Sequence, residues 1–183
     1  MTDLPVDSPT NDGTPDDNDL GSLVASRRKK QQRLIELGVD PFGQRFDDRQ
    51  WIGSVRAQIS EIAYRTQDGR TIPLPPITEA TKGDFRSWLA QQGPGEVVGP
   101  QVRAAGRIVL HRDKGKLQFI DIRDWTGEIQ LFVGQNQVGP ENWEVIQCLD
   151  LGDLIGVDGE LRYTKTGELS VFATRIHLLT KTL

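Results

Sequence analysis

Cysteine occurs once in this chain, at Cys148, and histidine twice, at His111 and His177. One cysteine cannot close an internal disulfide, so a reducing, cytoplasmic setting is expected. A zinc site needs four ligands at local spacings. These three residues are therefore read as structural, and no metal site is expected. No apolar run approaches the roughly 18 residues of a membrane-spanning helix. The first residues also lack the basic and apolar segments of a secretory signal, so a membrane is not an expected partner. There is no G-x-x-x-x-G-K-[ST] phosphate loop. Gly93-Pro-Gly95-Glu-Val-Val-Gly99 has the wrong spacing for G-x-G-x-x-G and does not lead from a strand into a helix. Among 26 acidic residues no carboxylate pair is set apart by context, so no catalytic residue is assigned.

A large basic excess is missing as well, because the formal net charge is -4. The charges are segregated, however. Residues 1–22 hold six aspartates and no Lys or Arg, which leaves 22 basic against 20 acidic residues in the rest of the chain. That balance permits a local nucleic-acid patch without requiring one.

Residues 1–21 carry Asp, Pro, Thr, Asn and Gly with few large apolar side chains. Such a stretch buries too little surface to offset its ordering entropy and reads as a disordered acidic tail. Residues 22–100 read as a helical N-terminal extension with a Pro/Gly-rich insertion. A first helix is expected over Ser22–Leu37, stopped by Gly38 and Asp40-Pro41. A second is expected over Asp48–Ala63, with Ile52, Val55, Ile59 and Ile62 on one stripe. Asp68-Gly69 marks a turn, Pro73, Pro75 and Pro76 break regular structure, and a short helix is expected over Asp84–Gln92.

From Gln101 the pattern changes to alternation. Strands are expected at Val102–Leu110, Leu117–Ile122, Glu128–Val133, Leu154–Leu161 and Leu169–Leu179, with a helix over Pro140–Leu149 between the third and fourth. That order is the signature of an OB-fold, a five-stranded Greek-key barrel, here over residues 101–183. The expected fold class is thus mainly β with α.

The working surface of an OB barrel is the face of its second and third strands, bordered by the loops between strands 1–2 and 4–5. That region supplies Phe119 and Phe132, with Arg112, Lys114, Lys116, Arg123 and Lys165 near in sequence. Aromatic faces stack unpaired bases and cations follow phosphates. A strand phenylalanine is more often core, so facing has to be argued. Odd and even positions of a strand point opposite ways. The all-aliphatic Ile120/Ile122 side suits the core, which leaves Phe119 for a ligand. Ile129, Leu131 and Val133 likewise face inward, which turns Gln130 and Phe132 outward.

Several segments resemble a known family. Gly106-Arg-Ile108 before a short basic loop, Asp150-Leu-Gly-Asp-Leu-Ile-Gly156, Thr164-Lys-Thr-Gly-Glu-Leu-Ser170 and Leu178-Leu-Thr-Lys181 look like the anticodon-binding domain of bacterial-type class II lysyl-tRNA synthetases. Arg33-Leu34, Leu37-Gly-Val-Asp-Pro-Phe42 and Arg45-Phe46 are similar to that family's leading helix and its exit. The resemblance implies that Phe119 stacks on the central uridine of the lysine anticodon. It implies also that Arg112 and Gln130 hydrogen-bond that base and that Glu168 lies near the third anticodon base. An amide and a guanidinium can read the edge of a splayed base whose face an aromatic ring holds.

The implied partner is the tRNA-Lys anticodon loop, with no cofactor in this chain. ATP and Mg2+ would serve the parent ligase, which the family forms as a homodimer. The family's catalytic domain would follow Leu183, so residues 1–183 are not expected to activate lysine. Residues 64–100 are longer and richer in proline than the family's usual connection, and nothing is carried over there. Three rival readings remain open at this point: the OB domain of an aspartyl- or asparaginyl-tRNA synthetase, a freestanding single-strand-binding OB protein, and a protein-interaction module using the acidic tail.

Overall fold

The structure is a computed structural model that describes residues 17–182, with side chains from Gly21 onward. Helix α1 spans Asp17–Glu36. It starts five residues before the expected Ser22, inside the stretch read as a disordered tail; the rest of that tail, residues 1–16, lies outside the described residues. Extending a helix costs far less than nucleating one, and the nucleus here is the C-terminal part of α1, anchored on the barrel. Leu34 is fully buried, Lys30 Nζ donates to Asp150 at 2.5 Å, and Arg33 pairs with Glu144. The helix stops where the sequence suggests. Gly38 adopts φ +74°, and the Val39 N–H closes back on the Leu34 carbonyl at 2.9 Å.

The expected helix Asp48–Ala63 is much shorter. Helix α2 covers Ile52–Arg56, a 3-10 segment follows over Ala57–Glu61, and Ala63 already begins a strand. The tighter 3-10 turn has three residues per turn, so the apolar stripe drifts. Ile52 and Val55 are buried, but Ile59 is 47% exposed. The N-terminus of α2 is capped by tertiary neighbours rather than by its own sequence. Asp124 accepts from the Ile52 N–H at 2.9 Å, and the Thr126 hydroxyl accepts from the Gly53 N–H at 2.8 Å.

Within the stretch read as a helical extension with a Pro/Gly-rich insertion, residues 22–100, the structure also holds a small sheet. Strands β1 (Ala63–Thr66), β2 (Thr71–Pro73) and β3 (Gly95–Val98) form an antiparallel sheet in the order β2-β1-β3, with α3 (Phe85–Gln91) between β2 and β3. Strands of three and four residues are too short to display an alternation, and prolines flank them. Their apolar partners come from elsewhere: Tyr64 packs edge-on against Trp88 of α3 at 6.0 Å, and Phe85 is buried against Tyr163.

The barrel follows the expected order. Strands β4 (Gln101–Asp113), β5 (Leu117–Asp124) and β6 (Gly127–Gly134) form a meander. Helix α4 (Gln135–Ile146), with non-helical dihedrals at Gly139, then leads to β7 (Leu154–Tyr163) and β8 (Leu169–Thr180). The strands close in the order β4-β5-β6-β8-β7, with β6 and β8 parallel and β7 returning to β4. Ile108, Ile120, Ile122, Ile129, Leu131, Ile155, Val157, Leu161 and Val171 fill the interior, and Ile146 and Leu149 close one end. Nine-tenths of an aliphatic side chain leaving water is worth roughly 1.5–3 kcal/mol, so this interior, rather than any polar pair, dominates the stability.

Candidate nucleic-acid interface

The outward face of the barrel carries two cross-strand rows. The first runs Arg112–Phe119–Phe132–Phe172, each residue the direct partner of the next on β4, β5, β6 and β8. The second runs Leu110–Asp121–Gln130–Ser170 across the same strands. A register shift in β4 between Ile108 and Leu110 creates this arrangement. Val102, Ala104 and Ile108 point inward, so unbroken alternation would send Leu110 and Arg112 inward too. The extra residue flips the parity, as β-bulges commonly do beside binding sites, and turns Arg112 onto the face of Phe119.

Aromatic rings line the first row. Phe119 meets Phe132 edge-on at 5.5 Å, and Phe132 stacks on Phe172 at 4.5 Å. The Arg112 guanidinium lies 5.6 Å from the Phe119 ring centre. None of the three phenylalanines belongs to the buried core. A polar chain runs along the second row. Arg112 Nη2 donates to Gln130 Oε1 at 2.9 Å, Gln130 Nε2 donates to Ser170 Oγ at 2.8 Å, and Ser170 Oγ donates to the Glu168 carbonyl at 3.2 Å. Gln130 is therefore held in one orientation at the cleft, with one amide hydrogen and one carbonyl lone pair left over.

Asp121 lies on the same face. Its Oδ1 is buried without a hydrogen-bond partner, 3.7 Å from Arg112 Nη2. Burial raises its carboxyl above the ordinary aspartate range, against the pull of Arg112. It is a polar group on the cleft floor with hydrogen-bonding capacity unused.

These rows form the floor of an open cleft of about 930 Å³. The β7–β8 turn, Thr164–Glu168, makes one wall. Its hairpin is tight, since Gly167 adopts φ +79° and a Cβ there would meet Lys82 at 2.8 Å. Glu168 is exposed on this turn, with its carboxylate 3.8 Å from Lys82 Nζ. Lys82 stays protonated to higher pH than usual through its hydrogen bond to Glu79, with burial opposing and Glu168 adding a smaller push.

Of the six residues singled out in the sequence, Arg112, Lys114, Phe119, Gln130 and Glu168 line the cleft, and Lys116 does not. Lys116 sits on the β4–β5 turn with its carbonyl engaged by the Gln135 N–H at 3.0 Å. Lys165 also lines the cleft, whereas Arg123 pairs with Glu128 at the far end of β5. Phe172 and Arg56 were missed. Alternation in β8, where Val171 and Ala173 are buried, would have turned Phe172 outward; its placement beside Phe132 depends on the parallel β6–β8 pairing. Arg56 reaches the cleft because α2 docks on β6, where its guanidinium donates to the Glu128 carbonyl at 3.0 Å.

His111, His177 and Cys148 lie elsewhere. His111 bonds Gln118, His177 bonds Asp158, and the Cys148 thiol, pushed up by burial, donates to the Glu144 carbonyl. Among the described residues no group of three or more His, Cys, Asp or Glu side chains could hold a metal ion, and no helix is long and apolar enough to cross a membrane.

Comparison with known proteins matches these strands. The OB-fold nucleic acid binding domain family, of the tRNA anticodon type, matches residues 102–179. The lysine–tRNA ligase of Staphylococcus saprophyticus is 36% identical over 165 residues, which is 90% of this chain and 28% of that protein. Those of Lactococcus lactis and Streptococcus thermophilus are 34% and 36% identical over 165 and 167 residues, with the same shares covered. The chain thus spans 28% of the length of these relatives. Residues 102–179 thus match the OB-fold nucleic acid binding domain family of the tRNA anticodon type, and over 90% of its length the chain is similar to the N-terminal, anticodon-binding region of lysine–tRNA ligases.

Proposed function

We propose that the cleft binds the anticodon loop of tRNA-Lys and reads its central uridine. Phe119 stacks on the base, Arg112 and Gln130 hydrogen-bond its edge, Glu168 lies beside the third base, and Lys114 follows the phosphates. The carrying observation is the Arg112–Gln130–Ser170 chain laid directly against the Phe119 ring on an outward face. It presents one stacking surface and one oriented polar edge, the two elements by which proteins recognise an unstacked base. The similarity to lysine–tRNA ligases supports lysine as the cognate amino acid. It supports also a parent activity of ATP-dependent aminoacylation with Mg2+ by a cytoplasmic homodimer, all outside the residues described. Among the described residues no group of three or more His, Cys, Asp or Glu side chains fits Mg2+.

The test is titration of the chain with a lysine anticodon stem-loop and with a duplex of matched composition. Selective binding of the loop is expected. Equal binding of loop and duplex would remove the basis for base reading and leave only charge attraction.

A further inference from the structure

Beside the anticodon cleft lies a second concavity, a groove of about 390 Å³ between the small sheet with α3 and the β7–β8 edge of the barrel. It adjoins the cleft, because Lys165 and Phe172 line both. Its walls carry Tyr163 from β7 and the shared Phe172 as partly exposed aromatics, with the nearly buried Tyr64 from β1 beside them. Three cations, Arg86, Arg162 and Lys165, border it against one carboxylate, Glu96. Arg162 joins the two units. Its Nη2 donates to Glu160 at 2.6 Å, its Nη1 lies 3.7 Å from Glu96, and its guanidinium sits 5.5 Å from the Phe172 ring centre. Its Nε is buried with no acceptor, a donor that a ligand oxygen would satisfy.

We propose that this groove is a second nucleotide subsite. It takes an unpaired base and its phosphate from the same RNA strand that the cleft holds, and in that it rests on the anticodon-loop reading. Continuity with the cleft names the occupant, since a strand leaving Phe119 along the aromatic row passes Phe132 and Phe172 before reaching the groove. Aromatic walls with bordering cations are the composition that single strands use, and an OB barrel engages about 4–16 nucleotides, more than the three bases of an anticodon. Arg86, exposed on α3, is placed to meet the phosphate.

The experiment uses the full 183-residue chain with a uridine trinucleotide and a uridine heptanucleotide. Affinities are measured across a salt series, and amide shifts are followed by NMR. The heptamer is expected to bind more tightly, and the amides of α3 and β3 to move with the heptamer alone. Arg86→Ala should weaken the heptamer about fivefold at 0.1 M salt and flatten its salt slope by about 0.7, the share of one phosphate. The trimer should be unaffected, and Arg86→Lys should restore the heptamer. Equal loss for both lengths, or loss for neither, overturns the subsite. Phe119→Ala should weaken both lengths. If it weakens neither, the cleft reading falls and the shared strand with it, and this failure is distinguishable because the Arg86 effect would then stand alone.

Discussion

At the scale of single residues, facing decides function. Phe119 and Ile120 are neighbours in sequence, yet Ile120 is fully buried and Phe119 lies in the cleft. Removing the Phe119 ring therefore removes a stacking surface without opening a core cavity. Phe119→Ala is expected to weaken stem-loop binding by about 1–3 kcal/mol with an unchanged circular dichroism spectrum; an unfolded variant would assign the ring to the core. Gln130 differs in kind. An amide that reads a base edge contributes to the difference between bases, whereas a cation on phosphate acts on every RNA alike. Gln130→Ala should thus narrow the preference for a central uridine over a central cytidine, while Lys114→Ala lowers both affinities equally. Titration of each variant with the two stem-loops separates the roles, and uniform loss for Gln130→Ala would demote it to a backbone contact. Lys116, off the cleft, serves as a control expected to change little. Much of this was legible from alternation alone, because β5 and β6 each have one aliphatic side. Phe172 was not, since its neighbour across the parallel pair is distant in sequence.

At the scale of elements, charged contacts hold α1 to the barrel. Lys181, its side chain fully buried, bonds Asp150 at 2.5 Å and Asp153 at 2.8 Å, and Lys30 of α1 bonds the same Asp150. Asp153 is also fully buried and accepts from the Asp150 and Thr182 N–H groups at 2.8 Å. Lys181→Ala leaves the buried Asp153 without its cation and Asp150 with Lys30 alone, and should cost about 3–5 kcal/mol, read as a lower urea midpoint. Burial alone would raise the Asp150 carboxyl, but its bonds to Lys181 and Lys30 outweigh burial and hold it below the usual range. Asp124 is lowered in the same way, with burial overcome by the Ile52, Thr126 and Gly127 donors. A carboxylate with a depressed folded pKa stabilises fully above its unfolded value, near 3.9, and loses that contribution as pH falls through the folded value. The contribution of Asp150 and Asp124 should therefore be flat from neutral pH down to about 5 and decline below about 4, while Asp121, raised by burial, acts with the opposite sign. A decline that began near pH 6 would rule out these two carboxylates as its cause. The sequence shows these aspartates only as charges; the pair that ties α1 to the barrel, Lys30 with Asp150, joins residues 120 positions apart.

At the scale of the whole molecule, the net charge of -4 predicts little about RNA, because Arg112, Lys114 and Lys165 are gathered at one cleft. With two phosphates met, by Lys114 and Lys165, log K against log salt should fall with a slope of about -1.4, at roughly -0.7 for each contact. A slope near zero would mean that these cations stay solvated in the complex. Length, alternation and turn residues were enough to determine the five-stranded barrel, the position of its helix, the stop of α1 at Gly38 and the inward sides of β5 and β6. Each is a local pattern with a local cause: strand period, helix period and the dihedral freedom of glycine. Tertiary structure alone decided the rest. The shift after Ile108 turned Arg112 toward Phe119 through pairing with β5. Tertiary caps from Asp124 and Thr126 placed the start of α2, and the small sheet formed from strands too short to show a period. The parallel pairing of β6 with β8 completed the aromatic row. In every such case the deciding contact lies on another element, so its energy leaves no trace in the pattern read along a single one.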